Sequence, residues 1–244
     1  MHVAVCIQSA HNEVYQQKMR WFAEGVSTEC DVVQWTSLPK DHKSQVYDHG
    51  RPFVMLETPL VHRRADTIDH GWLRVGINGF LWDDAEWGFG HMDPTRNIVS
   101  PIEWRKNGDH ILILMQNPGD ASLRGADIFE WVENTVIELR KHTDRPIRIR
   151  PHPLPNKQQK LEQLKQKLTD VTFVENKLPD NLRPLYEDFK NCWCVVTYSS
   201  GSSVDAVMAG IPNIACDTGN MAWPISSTKL NMIEQPYTGD TKLW

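Results

Sequence analysis

Short hydrophobic runs alternate with amphipathic stretches along this chain. In the first part of the sequence, residues 2–8, 30–35 and 52–56 are apolar runs of strand length, so we predict three strands there. Asn12 is a suitable cap residue, and apolar side chains at helical spacing follow it, which predicts a helix to about Val26.

The pattern is lost between residues 57 and 104, where Gly, Trp, Asp and Pro are frequent. Long irregular regions in compact domains usually carry function. We therefore expect loops and short elements here, with functional residues among them.

The second part of the sequence alternates more regularly between strand and helix patterns. Strands are predicted at residues 111–115, 147–150, 171–174, 193–198 and 211–216. Helices are predicted at residues 127–141, 156–168 and 182–189, and from the serine-rich turn to about Ala209. Strands that alternate with helices indicate a parallel sheet.

This pattern predicts an α/β protein with two Rossmann-like lobes. The N-terminal lobe is expected at residues 1–107, the C-terminal lobe at residues 108–225, and a short helix with an extended tail at residues 226–244. In sheets of this kind, ligands bind at the carboxyl ends of the strands. Three candidate motifs fall at predicted strand ends in the second lobe.

The bulk composition restricts the class of protein. No apolar run reaches the roughly 18 to 20 residues of a membrane helix, and the N-terminus has no secretion-signal pattern, so we expect a cytoplasmic protein without stable membrane insertion. The five scattered cysteines are typical of reduced thiols. Cys192 and Cys194 are expected to share one face of a strand. A net charge of −5 disfavours a generic electrostatic grip on nucleic acid, although a local basic patch is compatible with it.

The strongest candidate site is the sequence YSSGSSVDAVMAGIP at residues 198–212, in which a strand leads through a hydroxyl-rich turn into a helix. Unpaired amides at a helix start favour anions, which suits the phosphates of a nucleotide-sugar. Helix capping alone needs one serine. The predicted donor-binding residues of this turn are Ser199, Ser200, Gly201, Ser202, Ser203 and Asp205.

Two further motifs follow predicted strands of the second lobe. Arg150 and His152 lie at a strand end in RPHP, where the prolines fix the backbone; both are candidates to bind phosphate, and His152 is also a candidate acid or base. Gln116 and Asp120 lie in a tight polar turn, where Gln116 is a candidate to hold the donor and Asp120 is a candidate general base or nucleophile.

A fourth motif, DHGWLRVG at residues 69–76, lies in the irregular region of the first lobe. Arg74 is a candidate for binding an anionic group. Trp72 is a candidate for stacking on the acceptor, although most of the tryptophans are expected to pack in the core and loops.

Taken together, these four motifs resemble the capsule polysaccharide biosynthesis glycosyltransferases, which transfer the acidic sugar Kdo from its CMP form. The resemblance spans about residues 55–225. The family patterns are similar to residues 69–74 (family E-D-G-F-L-R), 116–122 (Q-x-x-D-D-A-S), 150–153 (K-P-H-P) and 199–212 (S-x-x-G-F-E-A-L-x-x-G-x-P). This chain has Arg150 where the family has Lys, and Asp205 where it has Glu.

The resemblance implies a GT-B-like fold, with the donor held by the second lobe, a shortened N-terminal acceptor lobe, and no metal. It also implies that Asp120 and Asp69 are the carboxylates nearest the chemistry. His152 is the third predicted catalytic residue, on the basis of its own motif. No cofactor is expected beyond the nucleotide-sugar donor.

We therefore predict a glycosyltransferase that moves a sugar from a nucleotide-activated donor to a hydroxyl acceptor. The acceptor is a glycan or a hydroxymethylated base of viral DNA, because small viral enzymes that glycosylate such bases share the general GT-B plan. The compartment is then the cytoplasm of a bacterium or of an infected host cell. A nucleotide-sugar epimerase and a non-catalytic nucleotide-sugar or glycan-binding module are the alternatives.

Overall fold

The computed structural model describes residues 4–6, 13–25, 32–35, 53–57, 74–83, 103–153, 157–175 and 184–239. The chain divides into two compact units, residues 1–94 and residues 95–244. The sequence pattern placed this boundary slightly later, between residues 107 and 108. Among the described residues, no helix is long and apolar enough to cross a membrane.

The first unit contains a four-stranded sheet. Its described elements are β1 (Ala4–Cys6), α1 (Glu13–Gly25), β2 (Val32–Trp35), β3 (Phe53–Glu57) and β4 (Arg74–Ile77). The strands follow the order β1-β2-β3-β4, and the first three are parallel to one another. The predicted strands and helix of this unit are confirmed within a few residues.

Strand β4 is a feature that the sequence pattern did not predict. It pairs antiparallel with β3, with Gly76 opposite Met55. Gly76 is buried while its neighbours Val75 and Ile77 are exposed. The strand was missed because a glycine occupies the buried position, so the apolar residues point the other way. The prediction of loops and short elements is compatible with this four-residue strand but did not locate it.

The second unit is built on a five-stranded parallel sheet. Its strands are β5 (His110–Leu114), β6 (Ile147–Arg150), β7 (Thr172–Phe173), β8 (Cys192–Thr197) and β9 (Asn213–Ala215). Their order in the sheet is β7-β6-β5-β8-β9, so the chain proceeds outward from β5 first in one direction and then in the other. The order reverses between β5 and β8. This topology is compatible with a Rossmann-like α/β fold.

Helices cover both faces of this sheet. They are α2 (Ile128–Leu139), α3 (Gln158–Lys167), α4 (Leu185–Asp188) and α5 (Ser202–Met208). Asp127 caps α2 by accepting a hydrogen bond from the Phe129 amide at 2.9 Å. The apolar stripe of α2 and Leu164 of α3 pack on the face that carries Ile111 and Ile113. Phe189 and Ala206 of the α4 and α5 regions pack on the opposite face, with Leu112 and Leu114.

The two cysteines of β8 lie on opposite faces of the sheet, so the expectation that they share a face is wrong. His110 pairs with Cys192, but the next residue, Ile111, pairs with Cys194. This β-bulge adds Trp193 to the strand and reverses the alternation of side chains beyond it. Cys192 therefore packs with Leu112, and Cys194 packs with Ile111.

The segment after Ser226 packs on the second unit. Ser227 forms a parallel bridge to Ile214, the central residue of β9. A 3₁₀ turn at Leu230–Met232 follows, where a short helix was predicted, and Ile233 is fully buried against the α2 face of the core.

Candidate functional site

Three loops of the second unit begin where β5, β6 and β8 end, and these loops carry the candidate residues. Gln116 lies two residues beyond β5, His152 lies two residues beyond β6, and Ser199 lies two residues beyond β8. Carboxyl ends of parallel strands share one edge of the sheet. The reversal of strand order between β5 and β8 is the position at which doubly wound sheets bind ligands. We call this edge the switch-point crevice.

A buried glutamine joins the loops after β5 and β8. The Gln116 side-chain amide donates to Ser122 Oγ at 2.7 Å and to Ser199 Oγ at 3.2 Å. Its carbonyl oxygen accepts from the Ser199 amide at 2.9 Å. Ser199 Oγ in turn donates to the Ser122 carbonyl at 2.7 Å. Gln116, Ser122 and Ser199 are all buried, so the two loops form one hydrogen-bonded unit.

Asp120 is exposed in the loop after β5, and its position follows from local turn chemistry. The Asp120 amide donates to the Asn117 carbonyl at 3.0 Å, which closes a turn with Pro118 second and Gly119 third. Gly119 has a φ of +82°, which is the requirement of a type II turn at that place. The carboxylate then caps a 3₁₀ turn, because Oδ1 accepts from the Ser122 amide at 2.9 Å and from Ser122 Oγ at 2.6 Å.

His152 lies at the same edge of the sheet, just beyond the end of β6, which neighbours β5. Burial lowers the pKa of the imidazole below its usual 6.5, and the nearby Asp120 carboxylate opposes part of that shift. The imidazole is therefore neutral at pH 7 and able to accept a proton. The predicted catalytic residues Asp120 and His152 therefore lie on neighbouring loops, within range of an electrostatic interaction.

Arg150 has a different environment from the one its motif suggested. Its guanidinium forms an ion pair with the Asp188 carboxylate of α4, and both residues are buried. The carbonyl oxygen of Asp188 also lies 3.3 Å from Nε2 of His110, at the start of β5. Arg150 therefore supports the packing of β6 against α4 in this structure. Arg148, two residues earlier on the same strand, is exposed.

The serine-rich turn divides into inward and outward residues. Ser203 is fully buried and donates to Asn220 Oδ1 at 2.7 Å, and Ser199 is held by Gln116. Ser200 and Ser202 are only half-buried, and Ser200 Oγ accepts from the Ser202 amide at 3.2 Å. Gly201 precedes α5 and provides no side-chain cap. Asp205 is half-buried in the first turn of α5.

Two residues of the site were not recognised in the sequence. Ser122 holds the Asp120 carboxylate, and the Asp-x-Ser spacing is a signal that could have identified it. Asn220 is fully buried, and its amide group donates to Thr197 Oγ1 at 2.9 Å and to the Tyr198 carbonyl at 2.8 Å. Asn220 lies in the segment GNMAWP at residues 219–224, which follows the last motif.

A charged cluster borders the crevice beyond β9. The Asp217 carboxylate lies 3.6 Å from the Arg124 guanidinium and also contacts the Tyr198 hydroxyl. Arg124 adopts a left-handed conformation with a φ of 51° at the end of the 3₁₀ turn. The loop after β5 therefore reaches across to the loop after β9.

The fourth motif lies only in part within the described residues. Asp69 and Trp72 lie outside them. Arg74 is the first residue of β4 in the first unit, where its guanidinium lies 5.9 Å from the centre of the Phe80 ring. The roles of Asp69, Trp72 and Arg74 stay predictions.

Two cavities of the second unit lie away from these residues. One, of about 790 Å³, is lined by Trp104, Trp193 and Glu234 among others. The other, of about 620 Å³, lies along α2 and is lined by Trp131 and His142 among others. Candidate site residues line neither of these two cavities.

Neither a comparison with models of known protein families nor one with curated protein sequences finds a significant match for this chain.

Proposed function

We propose that the protein is a glycosyltransferase of the GT-B type, which binds a nucleotide-sugar donor at the switch-point crevice of its second unit. The observation that carries this proposal is a carboxylate, Asp120, and a neutral imidazole, His152, which follow the neighbouring strands β5 and β6 at one sheet edge and interact electrostatically. The four-motif resemblance to the capsule polysaccharide glycosyltransferases supports it, as does the Rossmann-compatible topology of the second unit.

Glycosyl transfer develops positive charge on the sugar and negative charge on the leaving phosphate. Ser200 and Ser202, which are half-buried in the loop after β8, would donate hydrogen bonds to that phosphate. His152 would donate to it once protonated, or would carry a proton between donor and acceptor. Asp120 would deprotonate the acceptor hydroxyl or stabilise the oxocarbenium-like centre.

The first unit is proposed to be the reduced acceptor lobe. Asp69, Trp72 and Arg74 would contact the acceptor, which is a glycan or a hydroxymethylated base of viral DNA. This assignment is based on the resemblance, since Asp69 matches a carboxylate of the family's first motif. The protein would act in the cytoplasm, where nucleotide-sugars and such DNA are found together.

The test begins with CMP-, UDP- and GDP-linked sugars, each assayed for thermal stabilisation of the purified protein. A ligand at a hundredfold above its dissociation constant should add about 2.7 kcal/mol to the free energy of unfolding. A donor that stabilises the protein is then incubated with glycans and with hydroxymethylated DNA, and the product is detected by mass spectrometry.

Substitution of the carboxylate completes the test. Asp120→Asn should lower turnover by about 10²- to 10⁴-fold while donor binding persists. The control is Asp144→Asn, because Asp144 is an exposed carboxylate of the same unit in the turn between α2 and β6. Donor consumption without any acceptor would instead indicate an epimerase. Binding without turnover, unaffected by Asp120→Asn, would indicate a binding module.

A further inference from the structure

The hydrogen bonds of Gln116 leave its side chain no donor for a ligand. A side-chain amide has two N–H donors, and here they go to Ser122 Oγ and Ser199 Oγ. The orientation of the amide is fixed as well, since the Ser199 backbone N–H can only donate and must therefore face the amide oxygen. A residue expected to bind the donor is thus fully occupied inside the protein.

The direction of each hydroxyl proton follows from this orientation. Ser122 Oγ accepts from Gln116, so its own proton is directed to Asp120 Oδ1, 2.6 Å away. Ser199 Oγ likewise accepts from Gln116 and directs its proton to the Ser122 carbonyl. The hydrogen bonds therefore form a polarised chain that ends on the Asp120 carboxylate.

This chain makes the two oxygens of Asp120 inequivalent. Oδ1 accepts two hydrogen bonds, from the amide and from the hydroxyl of Ser122. No described residue donates a hydrogen bond to Oδ2. A carboxylate with one oxygen held in this way cannot rotate freely, so the other oxygen keeps a constant direction.

We infer that Gln116 and Ser122 are positioning residues, which hold Asp120 Oδ1 so that Oδ2 is presented to the substrate at the switch-point crevice. The inference depends on the proposed function for its catalytic meaning. Independently of that function, we infer that the Ser122 hydroxyl sets the orientation of the Asp120 carboxylate. Because Gln116 also holds Ser199, the loop after β8 and the carboxylate form one unit.

The test compares Ser122→Ala with Ser122→Thr, which restores the hydroxyl. In the transferase assay, Ser122→Ala should lower kcat by about 10- to 100-fold, as expected for a misplaced catalytic group, with the donor KM unchanged. Ser122→Thr should recover most of that loss. The control is Ser227→Ala, because Ser227 is a buried serine beyond β9 whose hydroxyl accepts from the Tyr237 amide at 2.8 Å.

A second measurement does not depend on the activity. The titration of His152 is followed by NMR, with its resonance identified by its loss in His152→Gln. Since the Asp120 carboxylate raises the pKa of His152, Asp120→Asn should lower that pKa. Ser122→Ala should raise it, because the carboxylate loses a donor that offsets its charge. Ser227→Ala should leave it unchanged.

The transferase assay and the His152 titration together distinguish failure of the positioning role from failure of the proposed function. If no variant and no wild-type sample transfers sugar, but Ser122→Ala raises the His152 pKa, the positioning role is supported and the proposed function fails. If Ser122→Ala leaves the His152 titration where it is in the wild type, the positioning role is wrong. It is also wrong if kcat is unaffected in an active enzyme.

Discussion

The ion pair between Arg150 and Asp188 gives the most direct test of the structure. The exposed fraction is 1% for the Asp188 side chain and 10% for that of Arg150. Asp188→Asn removes one charge and leaves the other buried without its counter-ion. Loss of one partner of a buried pair costs about 3–5 kcal/mol of unfolding free energy, because the remaining charge stays desolvated.

An exposed ion pair of the same unit supplies the matched control. The Arg140 guanidinium donates to Asp170 at 2.7 Å, but these side chains are 28% and 55% exposed. Asp170→Asn should therefore cost only about 0.2–1 kcal/mol. Urea denaturation of the full chain at pH 7 measures both variants. The difference between them should exceed about 2 kcal/mol.

The double variant Arg150→Met with Asp188→Leu separates the pairing from the packing. It should be less destabilised than either single variant, because no unpaired charge is left in the interior. If Asp188→Asn and Asp170→Asn have the same small effect, the Arg150 guanidinium is not committed to a buried pair. Arg150 would then be available to bind phosphate, as its motif predicted.

Three further predictions concern pH, backbone and thiols. Burial lowers the pKa of His110 below its usual 6.5, so below about pH 6.5 the unfolded chain takes up the proton first and stability falls as the pH decreases. His110→Gln keeps a donor for the Asp188 carbonyl. Between pH 7.5 and pH 5, this variant should lose less unfolding free energy than the wild type, as measured by urea titrations. An equal loss in the two proteins would refute this explanation. Gly125 and Gly210 both have positive φ, +91° and +72°, but an added Cβ has open space at Gly125 and collides with the Glu103 carbonyl at Gly210. Gly125→Ala should therefore cost about 1–2 kcal/mol and Gly210→Ala clearly more by thermal unfolding; similar values would contradict the collision. Burial raises the pKa of Cys192 and of Cys216 to about 12 from the ordinary 9.0. Cys192 is fully buried, so its thiol should react with a disulfide reagent about a thousandfold more slowly at pH 8 in the native protein than in urea, and rapid native labelling of Cys192 would contradict its burial.

Local patterns along the sequence predicted most of the second unit. The apolar run ILILM predicted β5, and apolar residues at helical spacing within residues 127–141 predicted α2, because burial patterns depend on neighbouring residues. The type II turn that exposes Asp120 was also readable, as Pro-Gly at its centre. Strand β4 was missed because Gly76, which has no side chain, occupies its buried position.

The positions of the candidate residues relative to the strands could be predicted from the sequence, but their side-chain partners could not. His152 and Asp120 were correctly placed at strand ends, since topology brings such ends together. The partner of Arg150 could not be predicted, because Asp188 is 38 residues away and reaches it only through the packing of α4. For the same reason, Gln116 was interpreted as a ligand-binding residue, whereas its partners Ser122 and Ser199 occupy it internally.

The bridge between Ser227 and β9 has a consequence for solubility. Strand β9 is the last of the five-stranded sheet, and a free edge strand offers its backbone groups to strands of other molecules. Here the Ser227 carbonyl accepts from the Ala215 amide at 2.9 Å, and the Ser227 amide donates to the Asn213 carbonyl at 3.0 Å. The segment that follows α5 and β9 thus protects this edge of the protein against self-association, and its removal would expose a template for aggregation.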